Sequence, residues 1–406
     1  MLYRTLGGTG IEVSAHCLGT MMFGSVGNPD HADSVRVIHA ALDAGINFVD
    51  TADMYSAGES ETIVGKALKG RRDDVVLATK VHFPMGEGPN RGGNSRRWIV
   101  KEVEESLRRL GTDWIDLYQV HRPDHTTDIE ETLSALTDLV RAGKIRAFGC
   151  STFPAEEIVE SHVVAERRGL GRFRTEQPPY SILARGIERA VLPTCRRYGM
   201  GVLTWSPLAS GFLTGKYRKG GAIDLTSGRA ALHPHRFDPD APLTAAKLDV
   251  VEQLVAVADS IGTTLPGLAV AFPLAHPAVT SVIIGPRTME QLEGLLKGAS
   301  LTLDDETLDR IDAIRRPRHR RLPAGRRVDP ARPDRCRPAE AAGGRTRGGV
   351  GPAQRTPTVP WPVVGFLARK LTTGRFSPSP GACSVCAVIA NPTRSSSPAI
   401  RSAGSR

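Results

Sequence analysis

Aromatic residues make up only 5% of the 406 positions, and no apolar run approaches the roughly 20 residues that a membrane span needs. The opening Met1-Leu2-Tyr3-Arg4 does not begin a basic-then-apolar leader, so no signal peptide is expected. Six cysteines (Cys17, Cys150, Cys195, Cys336, Cys383 and Cys386) are scattered through a long chain. They form no disulfide framework, which fits a reducing compartment and a cytoplasmic location. Cys383 and Cys386 have the spacing of metal ligands but no second pair, and no metal site is expected. Nucleotide signatures are missing as well. Gly7-Gly8-Thr9-Gly10 lacks the Lys-Ser/Thr of a phosphate loop, and no GxGxxG follows the first apolar strand. These absences argue against a disulfide scaffold, a membrane span, a P-loop enzyme and a Rossmann domain.

A net charge of +10 suggests nucleic-acid binding until it is located along the chain. Residues 315–406 carry 19 Lys and Arg against 3 Asp and Glu, a net of +16, while the preceding residues are net −6. The basic excess therefore belongs to a tail, and no nucleic acid is expected to bind through the body. That tail is dominated by Arg, Pro, Ala, Gly and Ser and has no periodicity, so a disordered segment is expected. Such a composition is also what GC-rich DNA yields when read in a shifted frame.

Within residues 1–314 one unit repeats: amphipathic helix, glycine, short apolar strand, polar residue. Leu2 to Ser14 reads as a β-hairpin. Strands follow near Cys17–Thr20, Asn47–Asp50, Val75–Thr79, Trp114–Val120, Ile145–Gly149, Arg174–Gln177, Val202–Ser206 and Val279–Ile284. Helical periodicity fills the gaps. One helix begins at a Ser95 cap, with Ile99, Val103, Leu107 and Leu110 on its apolar face and Glu104/Arg108 and Glu105/Arg109 as exposed pairs. Gly211 to Pro242 reads as irregular. The pattern predicts an α/β fold, a (β/α)8 TIM barrel with an N-terminal hairpin.

In such a barrel all strand ends share one rim. Asp50 and Tyr55 follow the second strand, Lys80 ends the third and His121 ends the fourth. A phenol, with an ordinary pKa of about 10, is a poor acid at neutral pH unless a cation lies beside it. Lys80 supplies that cation, Asp50 holds it charged, and His121 can orient a carbonyl oxygen beside the phenol.

These residues sit in Gly45-Ile46-Asn47-Phe48-Val49-Asp50-Thr51-Ala52 with Tyr55, Gly58-Glu59-Ser60-Glu61, Thr79-Lys80 and Leu117-Tyr118-Gln119-Val120-His121. Further along come Trp205-Ser206-Pro207-Leu208, Gly211-Phe212-Leu213-Thr214-Gly215-Lys216 and Ile284-Gly285-Pro286-Arg287-Thr288. Together they resemble the aldo-keto reductase superfamily over residues 1–314, most of all the bacterial branch that also resembles potassium-channel β subunits. The resemblance implies an NADPH-dependent reductase of aldehydes or ketones, with NADH the second choice of cofactor. It implies a catalytic tetrad of Asp50, Tyr55, Lys80 and His121, with Tyr55 as proton donor. Ser151 and Gln177 would hold the nicotinamide amide and Trp205 would stack on its ring. Ser206, Leu208, Gly211 and Lys216 would follow the pyrophosphate, with Gly285, Arg287 and Gln291 at the adenosine end. Two departures stand out: Thr152 where Asn is usual, and Gly294-Leu295 where Glu-Asn is usual.

A pocket for a small carbonyl substrate is expected among Met22 or Phe23, Met54, Phe83, Arg122 and the loop around Arg229 to Asp240. Three other readings compete: a cofactor-binding redox sensor or partner subunit with little turnover, nucleic-acid binding by the tail, and a Schiff-base lyase using Lys80.

Overall fold

The computed structural model describes residues 1–226, 228–232 and 234–315, which belong to one compact unit. The tail expected from residue 315 onward, including the Cys383/Cys386 pair, lies outside the described residues apart from Arg315.

The hairpin forms as expected, β1 (Tyr3–Thr5) pairing antiparallel with β2 (Glu12–Ser14). Eight parallel strands then close a barrel: β3 (His16–Gly19), β4 (Phe48–Asp50), β5 (Val76–Val81), β6 (Ile115–Val120), β7 (Ile145–Ser151), β8 (Thr175–Gln177), β9 (Gly201–Thr204) and β10 (Ser281–Ile284). Neighbours in space are neighbours in sequence, and β10 returns to β3 with Ile283 opposite Cys17. Around them lie α1 (His31–Asp43), α2 (Glu59–Leu68), α3 (Arg96–Leu110), α4 (Ile129–Arg141), α5 (Ala155–Arg168), α6 (Val191–Arg197), α7 (Gly228–Leu232), α8 (Pro242–Ser260), α9 (Leu265–Ala275), α10 (Met289–Lys297) and α11 (Asp305–Ile314). Among the described residues no single helix is long and apolar enough to cross a membrane.

Local chemistry sets the helix limits. The Ser95 hydroxyl accepts from Trp98 N at 3.3 Å, and Gly111, at φ 62°, closes α3 in the left-handed conformation that side chains resist. Gly45 takes φ 89° between α1 and β4 for the same reason. The stretch read as irregular carries short helical turns at Ala209–Thr214, Gly228–Leu232 and Pro234–Arg236.

Strand alternation sorts the apolar residues into two layers. Cys17, Phe48, Ala78, Leu117, Ala147, Leu203 and Ile283 fill the barrel interior, joined from below by Leu6 and Val13 of the hairpin. Leu18, Val49, Leu77, Tyr118 and Phe148, each one residue away from these, face the helices. The glycine cluster belongs to this floor: a Cβ on Gly7 would lie 2.6 Å from Arg174 O and 2.7 Å from Gly201 N, so its backbone abuts the strands.

One expectation fails on α3. Neither Glu104/Arg108 nor Glu105/Arg109 pairs. Arg108 reaches Glu105 one turn back, Glu104 takes Lys144, and Arg109 turns inward to Glu61 and Glu102. Two carboxylates buried to 0% and 2% exposure bind that guanidinium far more strongly than an exposed neighbour could.

Candidate active site

The parity that fills the interior also builds the site. Two residues beyond Phe48, Ala78 and Leu117 come Asp50, Lys80 and Gln119, which must point into the barrel at its C-terminal mouth. The same parity carries Thr175 to Gln177 and Leu203 to Trp205 in one step of two, and Ala147 to Ser151 in two such steps.

Lys80, fully buried, donates to Asp50 Oδ1 at 2.5 Å, to Thr51 O at 2.7 Å and to Tyr55 Oη at 3.4 Å. Burial works against its charge, but Asp50 and the phenol oxygen outweigh it and hold the ammonium above its ordinary pKa. Asp50 Oδ2 accepts from Gln177 Nε2 at 2.8 Å and from Gln119 Nε2 at 3.1 Å, so both carboxylate oxygens are committed. Edge-on to Tyr55, with ring centroids 5.9 Å apart, stands His121. Burial and the neighbouring Lys80 push the His121 pKa well below the usual range, so its imidazole is neutral. Asp50, Tyr55, Lys80 and His121 are thus one cluster.

Phe83 packs edge-to-face on His121 at 4.9 Å, and the Arg122 guanidinium lies 5.7 Å from the Phe83 ring centroid and 5.9 Å from that of Trp205. Arg122 also donates to His121 O at 2.5 Å and reaches Ser151 Oγ at 3.4 Å. Met54 is half-buried beside Tyr55, and Arg229 meets Met21 Sδ at 3.4 Å. Phe23 differs from expectation: it is wholly buried in the main core and offers no surface to a pocket.

The residues expected around the cofactor form an arc along the same rim. Ser151 Oγ donates to Gln177 O at 2.8 Å, and the Gln177 amide is turned to Asp50. Ser206 Oγ accepts from Ser210 N at 3.2 Å, Gly211 sits at φ 101°, and Lys216 is exposed with its ammonium 4.5 Å from the Tyr217 ring centroid. Leu208 is half-buried against the core. At the far end Arg287 N donates to Gln291 Oε1 at 2.8 Å, while Gly285 and Gly294 leave open space where a Cβ would stand. Leu295 is buried in the core.

The family model for aldo/keto reductases matches residues 16–316. An uncharacterised oxidoreductase, YrpG, of Bacillus subtilis is 41% identical over 327 residues, covering 77% of this chain and 96% of its own. The chain belongs to the aldo/keto reductase family. Other relatives are aldo-keto reductase YhdN of Bacillus subtilis, 39% identical over 77% of this chain and 93% of its own, and a probable voltage-gated potassium channel subunit beta of Oryza sativa, 37% identical over 77% and 96%.

Several supports of this aldo/keto reductase site were not read from the sequence. Gln119 holds Asp50, and its place two residues before His121 was the available signal. Arg109 underpins the turn carrying Tyr55: a Cβ on Gly58 would lie 2.7 Å from Arg109 Cδ, and Ser56 and Ala57 before it take φ 48° and 53°. Left-handed conformations on non-glycine residues persist only where the surroundings impose them. Thr152 is another, at φ 61° directly after Ser151. Asn tolerates that region far better than a β-branched residue, which gives the departure at this position a physical meaning.

Proposed function

We propose that this protein reduces small aldehydes or ketones to alcohols with NADPH, Tyr55 giving the proton. The observation that carries this reading is the Lys80 ammonium 3.4 Å from the Tyr55 hydroxyl oxygen, held there by Asp50 at 2.5 Å. A fixed positive charge favours the negative charge that grows on the phenol oxygen as its proton leaves. Neutral His121, edge-on to Tyr55, is suited to hydrogen-bond the substrate oxygen rather than to act as the acid.

The rim fits a dinucleotide by the chemistry of its donors: hydroxyls at Ser151 and Ser206, a flat indole at Trp205, cations at Lys216 and Arg287, and open space at Gly285 and Gly294. Bound nicotinamide would supply the hydride. Ser151 and Gln177 would bind its amide, Trp205 would carry its ring, and Leu208, Gly211 and Gln291 would complete the trough. Guanidinium at Arg287 suits a 2′-phosphate, which favours NADPH over NADH. Arg122, now over Trp205, would swing aside or close over the substrate with Met54 and Phe83.

A Schiff-base role for Lys80 needs a neutral, accessible amine. Fully buried and held charged by Asp50, Lys80 does not provide one.

The test is NADPH oxidation with a panel of small aldehydes, wild type against Tyr55→Phe. Turnover should fall by two or more orders of magnitude while NADPH affinity is unchanged, as expected for loss of the general acid (about 10²–10⁴-fold). Tight NADPH binding without turnover in the wild type would replace this reading with that of a cofactor-binding sensor subunit.

A further inference from the structure

Behind the turn that carries Tyr55 lies a second buried polar cluster, which the proposed chemistry does not use. Asp53 on that turn, Glu61 on α2 and Glu102 on α3 are all buried, and they share one guanidinium. Arg109 donates to Glu61 Oε2 at 2.6 Å and to Glu102 Oε1 at 2.5 Å. Among the described residues no cation donates to Asp53, and its Oδ2 is buried with no partner. On the barrel side stands the Tyr118 phenol of β6, also buried without a partner, which feels the charge of Asp53 more than that of Glu102 or Glu61. The Lys80 ammonium of β5 is turned away, into the barrel, towards Asp50 and Tyr55.

Two carboxylates against one guanidinium already leave this dry cluster with a net negative charge. Ionised Asp53 would double it, with only the bond from Met54 N to offset the cost. Burial, then Glu61 and Glu102, hold the Asp53 carboxyl well above the ordinary carboxylate range, against the opposing pull of Met54 N and Arg109.

The same residue fixes the approach to the proton donor. Asp53 N donates to Lys80 O at 3.2 Å, and Asp53 Oδ1 accepts from Met54 N at 2.6 Å. Tyr55 N follows, donating to Ala52 O at 3.2 Å. Glu61 accepts from the hydroxyl of Thr79, next to Lys80, at 2.6 Å. The cluster therefore backs both members of the Lys80–Tyr55 pair.

We propose that Asp53 is a positioning residue for Tyr55, held as the neutral acid behind the turn. Its part in catalysis rests on the function proposed above; its protonation state does not.

The test compares the full-length wild type with Asp53→Asn, a neutral isostere that keeps Oδ1 as an acceptor, and with Asp53→Ala, which removes it. With NADPH and a small aldehyde, Asp53→Ala should lower kcat about 10–100-fold, the cost of a misplaced reacting group, while NADPH affinity stays within about twofold. Asp53→Asn should recover kcat to within about threefold of wild type. Wild-type kcat in Asp53→Ala, or an Asp53→Asn protein as slow as Asp53→Ala, would overturn the assignment. A second readout follows the proton and needs no turnover. The unfolded chain ionises Asp53 near pH 4 (about 3.9) and the folded protein does not, so this residue costs the wild type stability as pH rises above that value. Asp53→Asn escapes the loss, and its urea midpoint should gain on that of the wild type between about pH 5 and pH 7. A midpoint difference that stays constant over that interval would overturn the neutral acid, whether or not Asp53→Ala folds. A wild type that binds NADPH yet reduces no aldehyde would refute the function proposed above, and the urea comparison would then decide the state of Asp53 by itself.

Discussion

Asp50 and Lys80 form a salt bridge of 2.5 Å with side-chain exposures of 3% and 0%, at the centre of the barrel mouth. Water cannot compensate either charge there, so each depends on the other and on the amides of Gln119 and Gln177. Asp50→Asn keeps the shape but leaves the ammonium without a counter-charge. A loss of about 3–5 kcal/mol in urea unfolding is expected, partly recovered in Asp50→Asn/Lys80→Met. A single variant within about 0.5 kcal/mol of wild type, the spread of a surface change, would show that the pair is not mutually dependent.

The barrel was legible because its signal is repetitive. Gly45 and Gly111 end helices, Phe48, Ala78 and Leu117 set the inward parity, and the polar residues two positions on then had to share a rim. What was not legible came from choices among partners. Arg109 is spaced to meet Glu105 along α3, yet it meets Glu61 from α2, and no local pattern encodes that preference. Phe23 follows a strand end as pocket residues do, but tertiary packing takes it into the core.

Arg109 gives a second prediction. Its guanidinium donates to Glu61 Oε2 at 2.6 Å and Glu102 Oε1 at 2.5 Å, and Glu61 also accepts from the Thr79 hydroxyl at 2.6 Å. Arg109→Met should cost about 3–5 kcal/mol near pH 8, where both carboxylates would be buried and unpaired. Towards pH 5 the loss should shrink as Glu102, whose pKa burial already pushes above the ordinary carboxylate value, takes up a proton. Arg108→Met, one residue away on the exposed face, should change stability by less than about 1 kcal/mol. Equal, small effects of the two variants would show that the inward ion pairs contribute nothing special.

Thr152 carries the third. At φ 61° a β-branched residue pays a conformational cost of about 1–2 kcal/mol that Asn largely avoids. Thr152→Asn should therefore raise stability by about 1 kcal/mol, read as a higher urea midpoint at unchanged slope. Because the turn also carries Ser151, NADPH affinity should stay or rise. A destabilised Thr152→Asn would mean that the threonine hydroxyl or methyl is held by contacts worth more than the backbone strain.

Glu176 makes the fourth prediction, from the outward face of β8. Burial pushes its pKa up to about 7, although Oε1 accepts from Phe153 N at 3.2 Å. The folded state therefore holds this proton more tightly than the unfolded chain does, and stability falls as pH rises from about 4.5 to about 7, then levels. The shift corresponds to about 3 kcal/mol. His16 and His162, each held down to about 4 chiefly by burial, act in the opposite sense: they bind protons in the unfolded chain first, so they add stability as pH rises from about 4 to 6.5. The two slopes oppose one another in the wild type, and only a difference against a variant isolates the carboxyl. Glu176→Gln cannot ionise, so its stability relative to wild type should improve by up to about 3 kcal/mol between pH 5 and pH 8. Urea unfolding of both proteins at those two pH values measures this directly. A difference that stays constant across the interval would mean that Glu176 ionises in the folded state as freely as in the unfolded chain.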